Sequence, residues 1–100
     1  MATAREIVDD IEAHVKDRTP NRPRSDWYAG IAADADKRLF NDHNVSKQNG
    51  RWIRMKAISA DVARAAEKAL HELGYDGGPG GGDDDTVFVY AYLKASYTVE

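Results

Sequence analysis

Residues 86–93 alternate without interruption, Val87, Val89, Ala91 and Leu93 against Phe88, Tyr90 and Tyr92. Successive side chains of a strand point to opposite faces, so this stretch reads as a β-strand, aliphatic on one side and aromatic on the other. Such a strand needs partners, and two are legible. Residues 51–58 also alternate, with Ile53, Met55 and Ala57 opposing Trp52, Arg54 and Lys56, the pattern of a half-buried strand. Residues 26–32 are aromatic and apolar around Gly30, which fits a short strand whose backbone another group approaches closely.

Helices fill the intervals. Thr3 followed by Glu6 has the form of a capping box, and Ile7, Val8, Ile11 and Val15 then recur at helical spacing, predicting an amphipathic helix over 4–17. Pro20 and Pro23 end it in a connector that carries Arg18, Arg22 and Arg24. Asp34 stands where an N-cap belongs, before a short surface helix over 35–42 with Leu39 and Phe40 on one side. Ser59 caps a longer helix with a stripe of Val62, Ala66, Leu70 and Leu73, and Gly74 occupies the left-handed position that closes it. Residues 77–85 are glycine, proline and aspartate only, a composition that builds a loop and no core. The expected fold class is therefore α/β (α+β), one domain over residues 1–100. Its three-stranded antiparallel sheet is formed near 26–32, 51–58 and 86–95 and flanked by helices, in the order α-β-α-β-α-β.

One hundred residues suffice for one core and not for two. The absence of cysteine removes disulfides, thiolate zinc sites and cysteine nucleophiles together. No apolar run approaches the ~20 residues of a membrane span. The first residues lack the basic-then-apolar pattern of a secretory signal, so a cytoplasmic location is the expectation. A net charge of −3 argues mildly against a polyanionic partner, but the charge is unevenly placed. Residues 18–58 carry nine basic and four acidic side chains, whereas both flanking blocks are acidic. A basic middle block can present a local positive patch on an acidic protein, and that patch is what a phosphate meets at close range.

Within that block the run from Trp27 to Asn44, followed by residues 51–58 and Glu67, resembles the core of a GIY-YIG-type nuclease. In that family a strand bearing Tyr-x-Gly leads into a helix with an arginine, often followed by a histidine. A further strand then precedes a helix whose glutamate binds a divalent metal. Tyr28 and Gly30 match the Tyr-x-Gly positions, Arg38 the arginine, His43 the histidine and Glu67 the glutamate, so the likeness covers 27–72. The family's other tyrosine-bearing strand has no counterpart just upstream of Trp27. The C-terminal strand is its natural substitute, pairing beside Tyr28 as in a circularly permuted sheet and bringing Tyr90 or Tyr92 to the site. The family's asparagine after the metal-binding helix is replaced here by glycine and proline.

The resemblance implies a metal-dependent endonuclease, with Mg²⁺ or Mn²⁺ at Glu67, Tyr28 as general base, and His43 and Tyr90 in the catalytic group. The residue types suit the chemistry independently. A guanidinium such as Arg38 stays charged and can contact two phosphate oxygens, and a carboxylate such as Glu67 suits a hard cation that keeps several waters. Arg22, Arg24, Lys37, Arg54 and Lys56 are the candidate nucleic-acid contacts, with DNA the expected substrate. Plainer readings stand beside these. Tyr28 can be an ordinary sheet tyrosine, Arg38 a solvated charge, His43 a surface or capping histidine, and Phe88, Tyr90 and Tyr92 a core face beneath helices. His14 and His71 have no partners at metal-ligand spacing. The alternative to a nuclease is a catalytically inactive module of the same fold that binds nucleic acid or a protein partner.

Overall fold

The structure, a computed structural model, describes residues 2–78 and 85–100. Helix α1 (Ala4–Arg18) begins as expected, with the Glu6 amide donating to the Thr3 hydroxyl at 3.3 Å and the Thr3 amide to the Glu6 carboxylate at 3.0 Å. Its end rests on Thr19, which is pushed out of helical geometry by the proline that follows. The Thr19 hydroxyl donates to the Val15 carbonyl at 3.0 Å and accepts from the Trp27 indole at 2.9 Å, tying the helix end to the start of β1 (Trp27–Ala32). Helix α2 (Ala60–Leu73) is capped by Ser59, whose hydroxyl accepts from the Val62 amide at 3.1 Å, and closed by Gly74 at φ 114°.

Strands β2 (Trp52–Lys56) and β3 (Phe88–Leu93) complete an antiparallel sheet of order β1-β3-β2, so the last strand in sequence is the central one. The register sets Tyr28 opposite Tyr92, Gly30 opposite Tyr90, and Arg54 opposite Tyr90 from the other side. The alternation read from sequence over 51–58 and 86–93 holds in β2 and β3. Trp27, Ala29, Ile31, Val89 and Ala91 face α1 and α2 and form the main core with Ile7, Ile11, Val15, Ala63, Ala66 and Leu70. At about 1.5–3 kcal/mol for each large aliphatic side chain taken from water, this layer dominates the stability of the fold. The opposite face carries Tyr90, Tyr92 and Ala32, buried with Leu39 and Val45 in a second, smaller cluster.

Two features bear on the site. The chain leaving α2 runs back along the outer edge of β1, with the Ala29 amide donating to the Asp76 carbonyl at 2.8 Å and the Asp76 amide to the Trp27 carbonyl at 2.9 Å. The short surface helix expected over 35–42 is a wider, π-helical turn over Lys37–Asp42. It starts where Asp34 accepts from the Lys37 amide at 3.1 Å and ends with the His43 amide donating five residues back to Arg38. Asn44, at φ 56°, then turns the chain sharply, a conformation asparagine tolerates well. The expected loop over 77–85 lies largely outside the described residues. Among the described residues no helix is long and apolar enough to cross a membrane.

Candidate active site

The site is built around the missing side chain of Gly30. The Tyr90 ring crosses from the central strand and lays its hydroxyl against that glycine: a Cβ there would stand 2.6 Å from the Tyr90 oxygen and 2.8 Å from Cζ. The glycine serves here by leaving space, because nothing in its backbone angles demands it. Tyr28 lies two residues away on the same face, its ring stacked on Tyr92 at 5.3 Å and on Tyr90 at 6.4 Å between centroids.

The π-helical turn and Asn44 swing His43 beneath these rings, 4.8 Å from Tyr28, 5.5 Å from Tyr90 and 5.0 Å from Tyr92 between centroids. His43 is therefore buried, and the plainer reading of it as a surface histidine is corrected. Its composition gave no warning, since its partner Tyr90 is far away in sequence. One ring nitrogen, Nδ1, lies 2.6 Å from the Val99 carbonyl, which can only accept, so Nδ1 carries the proton. In the neutral ring Nε2 then accepts, and the Tyr90 hydroxyl donates to it at 2.7 Å. Tyr92 completes the group by donating to the Glu100 carboxylate at 3.1 Å. The tail also returns the Val99 amide to the His43 carbonyl at 2.8 Å and takes the Asn44 amide group on the Tyr97 carbonyl at 3.0 Å. Residues 95–100 thus hold His43 in place, a role no periodicity could have announced.

Arg38 and Glu67 lie on different elements, and their charges act in opposite directions on the Tyr90 hydroxyl. The half-exposed Arg38 guanidinium is paired with Asp42 at 3.2 Å. Glu67, one turn before Leu70 on α2, is 8% exposed, yet no hydrogen bond to its carboxylate is found among the described residues. Burial raises its pKa above the usual glutamate range, and His71, one helical turn later, opposes the rise. Burial also drives the Tyr90 hydroxyl well above an ordinary phenol, reinforced by Tyr28 and Glu67 and offset in part by Arg38. Tyr90 therefore remains a neutral donor and does not act as a base. Tyr92 is raised in the same way, by burial first and Glu100 second.

His71, set aside in the sequence for lack of a ligand pattern, donates from Nε2 to the Ala29 carbonyl at 2.9 Å, on the strand that carries Tyr28 and Gly30. Its position four residues after Glu67 is the signal that could have found it, because that spacing stacks two side chains on one helix face. Gly77 is needed beside it, since a Cβ there would lie 2.0 Å from the imidazole Nε2. The Gly78 amide donates to the Tyr28 hydroxyl at 3.3 Å.

The candidate nucleic-acid contacts divide between two sides. Arg54 and Lys56 lie on the sheet face that bears Tyr90, Arg54 being paired with Asp36 at 2.9 Å, and Lys37 is exposed on the π-helical turn. Arg22 and Arg24 belong to the α1 side. Arg24 is held by Glu12 at 2.9 Å, which also accepts from the Tyr75 hydroxyl at 2.8 Å, and Arg22 lies 3.5 Å from Asp26. The structure does not bring these two to the cleft.

Among the described residues no three His, Cys, Asp or Glu side chains gather around one point. Mg²⁺ usually takes one or two carboxylates and keeps several waters, so it does not require such a group, and the Glu67 carboxylate is of the oxygen type it prefers. No protein-family model matches the chain, and comparisons with curated proteins and with solved structures find no match either.

Proposed function

We propose that this domain is a metal-dependent endonuclease of the GIY-YIG kind, cleaving a phosphodiester bond at the cleft beside Gly30. The observation that supports the reading is the group formed by Tyr28, Tyr90 and His43, from three separate elements, with the Tyr90 hydroxyl against Gly30 and 2.7 Å from His43. In this reading Arg38 contacts the scissile phosphate, where a fixed guanidinium stabilises charge that builds on the phosphoryl oxygens. Tyr90, kept protonated, donates to His43 and holds that ring beneath the tyrosines. Tyr28 takes the proton of the attacking water. Glu67 is the residue that would hold Mg²⁺ or Mn²⁺, and such an ion would stabilise charge on the departing oxygen. The raised pKa of Glu67, caused by burial, supports that assignment, because a bound cation would relieve the cost of burying its charge.

The test is cleavage of labelled single- and double-stranded DNA with Mg²⁺. Activity should vanish with EDTA and fall about a hundredfold or more in Arg38→Ala and Glu67→Ala, both remaining folded by circular dichroism. Activity that survives EDTA or the Glu67 substitution would refute it. A second reading keeps the fold without the reaction. It is favoured by the Asp42 carboxylate, which already engages Arg38, and would show as binding of DNA with no cleavage under any metal.

A further inference from the structure

The side of the molecule beyond the tyrosine cluster carries a row of three cation-on-aromatic pairs that the cleavage site does not use. Lys47 lies over Phe40 at 5.5 Å, Arg54 over Trp52 at 5.2 Å, and Lys56 over Phe88 at 5.9 Å from nitrogen or guanidinium carbon to ring centroid. Phe40 and Trp52 meet edge to face at 5.0 Å, joining two of the pairs, and the Trp52 indole is fixed by donating to the Lys47 carbonyl at 3.3 Å. Strand β2 lines the others up, with Trp52, Arg54 and Lys56 on one face opposite Tyr92, Tyr90 and Phe88. The three rings are half-buried, while the three cations are exposed. Among the described residues neither Lys47 nor Lys56 has an anionic partner.

We infer that this strip binds a single strand of DNA, stacking its bases on Phe40, Trp52 and Phe88 and setting its phosphates against Lys47, Arg54 and Lys56. Alternating rings and cations suit a single strand, because every base offers a stackable face and every linkage a negative charge. A duplex hides its base faces and could use only the cations. The polar side chains of the strip are donors, and its carboxylate, Asp36, is already engaged by Arg54, so nothing there rewards a ribose 2′-hydroxyl. Gly30, Tyr90 and Arg54 lie side by side across the three strands, which sets the strip next to the cleft. The inference rests on nucleic acid being the ligand and does not require that it be cut.

The test is binding of a fluorescein-labelled twelve-residue oligo(dT) to the whole domain in EDTA and low salt, read by anisotropy and by Trp52 fluorescence, Trp27 being fully buried. Oligo(dT) should quench the tryptophan signal, and Trp52→Leu should weaken binding about 5- to 150-fold, the worth of about 1–3 kcal/mol of stacking. Lys47→Ala with Lys56→Ala, both exposed and safe for folding, should weaken it at least tenfold and flatten the slope of log affinity against log salt by about 1.4, at ~0.7 per cation in single strands. Lys16→Ala on α1 should change nothing. Unchanged affinity in the double lysine variant, no oligo(dT) binding, or tighter binding of oligo(U), duplex or an acidic peptide would overturn the inference. Cleavage with normal binding by the strip variants would sink the strip and leave the nuclease reading intact; binding that tracks the strip without any cleavage would do the reverse.

Discussion

Gly30→Ala is the smallest change that reaches the heart of the cleft. On a strand with ordinary backbone angles, alanine would by itself stabilise by about 0.4–1 kcal/mol, through a less flexible unfolded chain. Here the added methyl would lie 2.6 Å from the Tyr90 oxygen and 2.8 Å from Cζ, at the rigid end of a ring that is fully buried and cannot swing away. Overpacking of that sort costs about 1–3 kcal/mol. If the ring shifts, its 2.7 Å bond to His43 weakens as well, at about 0.5–1.5 kcal/mol. The net expectation is a loss of about 1–3 kcal/mol, lowering the melting temperature by about 4–8 °C per kcal/mol in a domain of this size. Tyr90→Phe removes the oxygen that the methyl meets first, leaving His43 Nε2 without its donor. Because both substitutions act on the same contact, the double variant should be less destabilised than the sum by about 0.5 kcal/mol or more. Urea unfolding of the four proteins measures this coupling. A Gly30→Ala protein as stable as the parent, or a strictly additive double variant, would refute the packing argument.

The charged and titratable groups give further expectations. Since burial raises the Glu67 pKa in the folded state, the native protein binds that proton more tightly than the unfolded chain, so stability from this group grows as pH falls through its folded pKa and is lost at neutral pH. Glu67→Gln should therefore raise the melting temperature at pH 7, with the gain shrinking toward pH 4; a lower melting temperature at pH 7 would contradict it. Millimolar Mg²⁺ or Mn²⁺ should raise the melting temperature of the parent and not of Glu67→Gln in differential scanning fluorimetry. His14 is lowered by burial first and by Arg18 second, and its Nε2 is buried without a partner beside the Trp27 ring at 5.9 Å. The unfolded chain then holds that proton more readily, so stability should fall as pH drops below about 6.5, and His14→Phe should flatten that slope in urea titrations.

The parts of the fold that follow local rules were readable from the chain. The capping box at Thr3 and Glu6, the Ser59 cap, the αL glycine at 74 and the two-sided alternation of 51–58 and 86–93 all describe the folded molecule, because each depends on residues within a turn or a strand. The pairing of the C-terminal strand beside Tyr28 is also present, and the expectation of it came from the GIY-YIG resemblance, as a substitute for that family's missing strand. What escaped depends on distance. The wide turn at Lys37–Asp42 has no sequence period of its own, and the burial of His43 is decided by Tyr90 and by Val99, far along the chain. The role of Gly30 was half legible: a close approach was foreseen, but which ring makes it follows from the register of β1 on β3.

The central position of β3 carries a consequence for how the molecule comes into being. Strands β1 and β2 bond only to β3 within the sheet, and β3 is the last of the three in sequence. A nascent chain emerging from the ribosome at ~5–20 residues per second can form α1 and α2 early, yet it has no sheet until that final strand arrives. Tyr90 is delivered by the same step, so the site is assembled last and at once, and a chain halted before residue 88 would carry Tyr28, Arg38, His43 and Glu67 with neither a finished core nor the tyrosine that meets Gly30.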